Sequence, residues 1–241
     1  MGIVKLALGD AIITFMWVFC VSCTGIFTSI IASYLKFQGF YTLGITVFLV
    51  FSLVFIFSLI GEALGGASFN PSGLVAFHAA GFGKDSLFSL AIRFPAQAAG
   101  AVGGALAIME VMPASYKNKL GGPSLKVELH KGAIAEGFLT FLISFAILFI
   151  IVKGPRNSLI KMWLLAMSTV TLVLAGSSYT GPAMNPANAF GWAYVNNRHN
   201  TWEQMYVYWM CPFIGAFVAA SVFRLVFRIP PPPEAKHKKD E

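Results

Sequence analysis

Six stretches of the chain are apolar for long enough to cross a bilayer. Residues 6–35 carry one charge, Asp10, and residues 37–61 carry none. Residues 86–109 carry only Arg93, residues 132–152 only Glu136, and residues 162–178 and 204–223 none. A crossing helix needs about 20 residues at ~1.5 Å each. Helix is the expected form because backbone groups in lipid must be satisfied internally. Two further neutral stretches break the pattern. Residues 63–83 contain Gly65, Gly66, Asn70, Pro71, Gly73 and Gly81, and residues 177–197 contain Gly181, Pro182, Asn185, Pro186 and Gly191. Each leaves about ten helix-compatible residues after its Asn-Pro pair, roughly half a bilayer. Paired short, Gly/Pro-interrupted apolar segments point to a pore or binding site.

The two halves of the chain match. Asp10-x-x-x-Thr14-Phe15 opens the first, and Asn70-Pro71 follows 60 residues after Asp10. Glu136-x-x-x-Thr140-Phe141 opens the second, and Asn185-Pro186 follows 49 residues after Glu136. Three spans per half is an odd number, so the second half must enter from the opposite side. The expectation is an inverted repeat in one membrane domain over residues 1–230, with halves of about 1–115 and 130–230. Residues 231–241 form a basic tail.

Composition narrows the class. Of 241 residues, 57% are hydrophobic and 11% charged, against roughly a quarter charged in soluble domains; mean hydropathy is +0.73. This excludes a soluble enzyme, a disordered chain and a nucleic-acid-binding domain. The net charge of +7 therefore belongs to loops and tail, in contact with lipid headgroups. With the termini inside, ten Lys/Arg lie on that side against six outside, which supports cytosolic termini. Cys20, Cys23 and Cys211 fall in apolar segments, so no disulfide framework is expected. The first apolar run is too long for a cleavable signal. His78, His130 and His199 lack metal-ligand spacing, and no cofactor is expected. The 23 Phe are read as lipid-facing and packing surface.

The Asn-Pro pairs have a physical meaning. An Asn oxygen caps the first free N–H groups of a helix, and proline suits the first helical position. Two half-helices entering from opposite faces would meet tip to tip near the midplane, with their positive dipole ends converging. The amide hydrogens of Asn70 and Asn185 would then be free to donate into a pore. Such a tip pair repels cations and hydronium and orients a neutral acceptor.

These features resemble the major intrinsic proteins, or aquaporins. The resemblance rests on the segments from Gly65 to Ser72 and from Tyr179 to Gly191. It is supported by Gln97, Gly100 and Gly104, and by Tyr208-Trp209-x-x-Pro212-x-x-Gly215-Ala216. The basic pI of about 9.4, the Asn-Pro-Ser first motif and Asn188 are similar to the first type of plant small basic intrinsic proteins. The resemblance implies an all-α membrane protein: a right-handed bundle of six transmembrane helices plus two re-entrant half-helices, assembled as a homotetramer. Its motifs are Asn70, Pro71 and Ser72, and Asn185, Pro186 and Ala187. It places the selectivity filter at Val50, Val173, Pro182 and Asn188. Relatives usually carry Arg where Asn188 stands, so the filter here lacks ring and cation. Ser72 replaces the usual Ala; its hydroxyl either lines the pore or bonds its own helix, the commoner arrangement.

Asp10 and Glu136 are either proton-relay groups or acceptors for the backbone of the re-entrant loop in their own half. Arg93 either snorkels or binds loop carbonyls. Gly100-x-x-x-Gly104 permits close helix approach within the subunit. Lys238 and Lys239, fourth and third from the C-terminus, resemble the dilysine retrieval signal of the endoplasmic reticulum. The expected function is passive passage of water and small neutral solutes across an intracellular membrane, excluding ions and protons. The competing readings are a non-conducting structural protein of the reticulum and a proton-coupled transporter using Asp10 and Glu136.

Overall fold

The computed structural model describes residues 2–229. Six helices are long and apolar enough to cross a membrane: Ile3–Leu35, Phe40–Ala63, Leu87–Val111, Leu129–Lys153, Ser158–Gly176 and Trp202–Phe227. Each covers one of the neutral runs to within a few residues. The first is broken at Cys23 into α1 (Ile3–Ser22) and α2 (Thr24–Leu35). Unbroken, its 33 residues would reach about 50 Å, well beyond the ~30 Å hydrocarbon core. The break lets α2 lean on α3 (Phe40–Ala63), where the Thr28 and Thr46 hydroxyls meet at 3.2 Å.

The remaining helices follow as α4 (Pro71–Ala79), α5 (Leu87–Val111), the short α6 (Ala114–Lys117), α7 (Leu129–Leu148), α8 (Ser158–Gly176), α9 (Pro186–Val195), the short α10 (Trp202–Met205) and α11 (Cys211–Phe227). α7 ends in a wider π-helical turn, Phe149–Lys153, and another, Tyr206–Met210, joins α10 to α11. The second turn has a local cause. Pro212, near the start of α11, lacks an N–H and would clash with the carbonyl one turn back; a π turn opens that position.

Polar groups are buried within an apolar core, and the outside is apolar as well. Asp10, Gln97, Glu136, Thr140 and Thr180 are fully buried. Val4, Leu8, Phe40, Leu87, Ile134 and Leu225 are each more than 60% exposed. Many exposed large apolar side chains, spread over all six spans, mark a lipid-facing protein.

Glycines set the two tightest contacts. A Cβ on Gly100 of α5 would strike the carbonyl of Ala11 in α1, and one on Gly104 the carbonyl of Phe15. On the other side, a Cβ on Gly215 of α11 would strike the carbonyl of Gly137 in α7. Ala11 and Gly137 directly follow Asp10 and Glu136, so the contact repeats in both halves. The Gly100-x-x-x-Gly104 contact lies within the subunit.

Each half-helix packs into the opposite half. Ala76 and Ala80, at the end of α4, sit against Leu148, Ala216, Ala220 and Phe223 of the second half. Ala187 and Trp192 of α9 sit among Val18, Ala101, Ala105 and Ile108 of the first. This crossing buries both short helices, which are too short to be stable alone.

Candidate channel site

The two Asn-Pro pairs begin α4 and α9. Asn70 Oδ1 accepts from the Ser72 N–H at 2.9 Å, and Asn185 Oδ1 from the N–H groups of Ala187 (3.1 Å) and Asn188 (3.3 Å). Pro71 and Pro186 occupy the first helical positions. The tips meet through a reciprocal clasp. Asn70 Nδ2 donates to the Met184 carbonyl at 3.1 Å, and Asn185 Nδ2 donates to the Phe69 carbonyl at 2.9 Å. One hydrogen of each amide is thus already used, so each Asn keeps only one for a ligand.

The clasp borders a cavity of about 540 Å³, whose wall includes Asn70, Asn185, Asn188, Val173, Pro182 and Trp17. Val54, Phe57, Phe69, Phe77, Ile143 and Met184 also line it. Several large aromatics therefore face the cavity rather than lipid. Trp17 stacks on Phe69, centroids 4.0 Å apart and planes 15° apart, with the Phe57 ring edge-on. Among the described residues, Glu62 is the one ionisable group in the wall.

Of the four expected filter positions, the structure brings Val173, Pro182 and Asn188 to the cavity. Val50 is elsewhere: it is buried with Val47, Ala166 and Val170 between α3 and α8, and Val54, one turn on, reaches the wall instead. Ser72 fits neither reading of its hydroxyl. It is buried outside the cavity lining, and its Oγ has no partner among the described residues.

Both buried carboxylates grip re-entrant loops. Asp10 Oδ1 accepts from the Ser68 N–H at 2.7 Å and from Arg93 Nη2 at 2.8 Å. Its Oδ2 accepts from Arg93 Nε (2.6 Å) and Gln97 Nε2 (3.0 Å). Arg93 does not snorkel. Its other donors reach the Gly66 carbonyl at 3.1 Å and Asp85 Oδ2 at 2.7 Å. Glu136 Oε1 accepts from Thr180 Oγ1 and the Ala183 N–H, both at 2.9 Å, and Oε2 from the Met184 N–H at 3.1 Å. Met184 is thereby held at φ 47°, a left-handed conformation costly for a side chain of this kind. That conformation turns its carbonyl to Asn70.

Sequence reasoning missed Asp85, Thr180 and Trp17. A buried arginine must find anions, and Asp85 is the sole acid in the connection of residues 80–86, so that partner had a signal. His78 Nδ1 lies 2.8 Å from the Asp85 carbonyl oxygen. Cys20, Cys23 and Cys211 are unpaired. Lys238 and Lys239 lie outside the described residues.

Comparison with known proteins decides the family. The profile of the major intrinsic protein family matches residues 1–223. The chain belongs to the major intrinsic protein family. Aquaporin SIP1-1 of Oryza sativa subsp. japonica is 63% identical over 241 residues, covering 98% of each chain. Aquaporin SIP1-2 of Zea mays is 62% identical over 234 residues, covering 96% of each. Aquaporin SIP1-1 of Arabidopsis thaliana is 54% identical over 241 residues, covering 99% of each. The crystal structure of the aquaglyceroporin from Plasmodium falciparum has the same fold, with a TM-score of 0.71 at 18% identity over 94% of this chain and 97% of that one. As a family member, the chain is a multi-pass membrane channel for water or small solutes rather than an enzyme.

Proposed function

We propose that the chain is a passive channel for water and other small neutral solutes, which excludes ions and protons. The observation that carries this reading is the reciprocal clasp of Asn70 and Asn185. It fixes two amide donors and two converging half-helix N-termini at one point beside the cavity. A passing neutral acceptor is oriented there, and a cation meets the positive ends of both dipoles. Asn188 puts an uncharged amide where most relatives place a cation, so the half-helix ends form the main barrier and the wall tolerates solutes larger than water. Asp10 and Glu136 serve as loop anchors, since every hydrogen bond they accept comes from a loop or its supports. This favours the channel over a proton-coupled transporter.

The protein forms a homotetramer of the endoplasmic reticulum with cytosolic termini, retrieved by Lys238 and Lys239. Stopped-flow shrinkage of proteoliposomes tests conduction: osmotic rates above those of empty vesicles are expected, and equal rates overturn the proposal. Parallel runs with glycerol, urea and hydrogen peroxide define its breadth. Changing both lysines to Ala is expected to release the protein to later compartments; unchanged residence refutes the signal.

A further inference from the structure

A second cavity lies away from the clasp, at the end of the bundle opposite Ile3 and Phe227. It has a volume of about 260 Å³ and lies between residues 121–124, the end of α9 and the start of the last span. That is room for roughly eight waters at ~30 Å³ each. Its chemistry is two-sided. Arg198 and Glu203 both line it, yet neither forms an ion pair among the described residues. Gln204 also lines it, is 5% exposed, and its Nε2 has no acceptor among the described residues. A buried amide donor without a partner calls for an acceptor oxygen. Asn196, the C-cap of α9, brings the negative end of a ten-residue helix to the same cavity, a position that favours a cation.

The surroundings set its depth. Trp202 is 61% exposed and stacks on Tyr206 with centroids 5.5 Å apart. Exposed Tyr194 lies at the end of α9. Exposed Trp and Tyr gather at the membrane–water interface, so the cavity opens at headgroup level.

We propose that this pocket binds a zwitterion made of an oxyanion and an ammonium, as in the phosphoethanolamine headgroup of a phospholipid. The phosphate oxygens accept from Arg198 and from the Gln204 amide. The ammonium faces Glu203 and the end of α9. A soluble zwitterion shares this chemistry, and the experiment separates the two sources.

The full-length chain in detergent is titrated with dihexanoyl phosphatidylethanolamine, and binding is followed by intrinsic tryptophan fluorescence and native mass spectrometry. Dihexanoyl phosphatidic acid serves as the oxyanion without an ammonium, and free phosphoethanolamine as the headgroup without chains. The parent is expected to prefer the zwitterionic lipid. Arg198→Gln should weaken both lipids by about tenfold, the loss of one charge-assisted contact. Glu203→Gln should weaken the zwitterion and favour phosphatidic acid, reversing the preference. Competition by free phosphoethanolamine supports a soluble ligand, and binding of the short-chain lipid alone supports the headgroup. Unchanged affinities in both variants, or affinity that follows chain length regardless of headgroup, overturn the proposal. Water flux does not enter the readout, so the result is independent of whether the clasp conducts.

Discussion

The two re-entrant loops do the same job with different chemistry. Both must hold an irregular backbone inside a membrane protein, where an unsatisfied polar group is costly. The first is held by charge: Asp10 and Arg93, 0% and 2% exposed, form a two-point ion pair, and Asp85 takes a further guanidinium nitrogen. The second is held without a cation: Glu136 receives only the Thr180 hydroxyl and two backbone N–H groups. The halves still correspond. Arg93 stands seven residues before Gly100, and Tyr208 seven before Gly215. Arg93 donates to the Gly66 carbonyl and the Tyr208 hydroxyl to the Thr180 carbonyl at 3.3 Å. The second loop is also tied to the linker, where the Ser124 and Lys126 N–H groups reach the carbonyls of Thr180 (2.9 Å) and Tyr179 (2.8 Å). Equivalent positions thus need only a donor of the right reach. Its charge is free to differ, provided a neighbouring anion such as Asp85 accompanies the arginine.

That contrast is breakable, and the largest effect is expected in the first half. Asp10→Asn removes the forked ion pair, leaves Arg93 with Asp85 as its one remaining anion, and should cost about 3–5 kcal/mol, the usual range for breaking a buried pair. Arg93→Lys should also destabilise the fold, because an ammonium cannot reproduce the forked contact. Unfolding in detergent, followed by circular dichroism, measures both. Glu136→Gln leaves no stranded cation and should cost less, about 1–3 kcal/mol, for the N–H groups left short of an acceptor. Equal losses at Asp10 and Glu136 would erase the difference argued between the loops.

The glycine contacts test the symmetry instead. Gly100→Ala and Gly215→Ala should each cost about 1–3 kcal/mol, because the new methyl drives into backbone rather than a flexible side chain. Gly44→Ala, where a Cβ meets nothing within 4 Å, should be neutral or slightly stabilising. The variant most direct in function is Asn70→Asp. It keeps the cap of α4, worth about 1 kcal/mol, but replaces the donor to Met184 with an anion. Water flux should fall and cation leak rise in proteoliposomes, more than for Asn188→Ala, which lies off the clasp.

Much of this fold is legible along the chain. Long neutral runs report spans because a lipid-crossing helix tolerates few charges, and six runs became six helices. Asn-Pro pairs report half-helix starts because cap and first-turn chemistry are local. The site is less legible. The resemblance places Val50 in the filter, yet whether a residue of α3 faces α8 or the cavity depends on helix rotation, which motif spacing does not set. The Phe-rich spans read as lipid-facing and packing surface, but which rings do which is decided in three dimensions: Phe57 of α3 and Phe69 of the first loop pack inward on Trp17.

The sequence by itself determined how many segments cross the membrane, where two stop halfway, and that two acids and an arginine lie within apolar segments. Those follow from local rules of solvation and capping. Only the tertiary structure decided that Arg93 closes on Asp10 and Asp85 rather than reaching for water, and that each half-helix packs into the opposite half. It also decided that the two Asn side chains clasp each other's loops. The hydrogen bonds among these pairings join residues up to 116 positions apart, and nothing in a linear run of residues specifies which distant donor meets which acceptor.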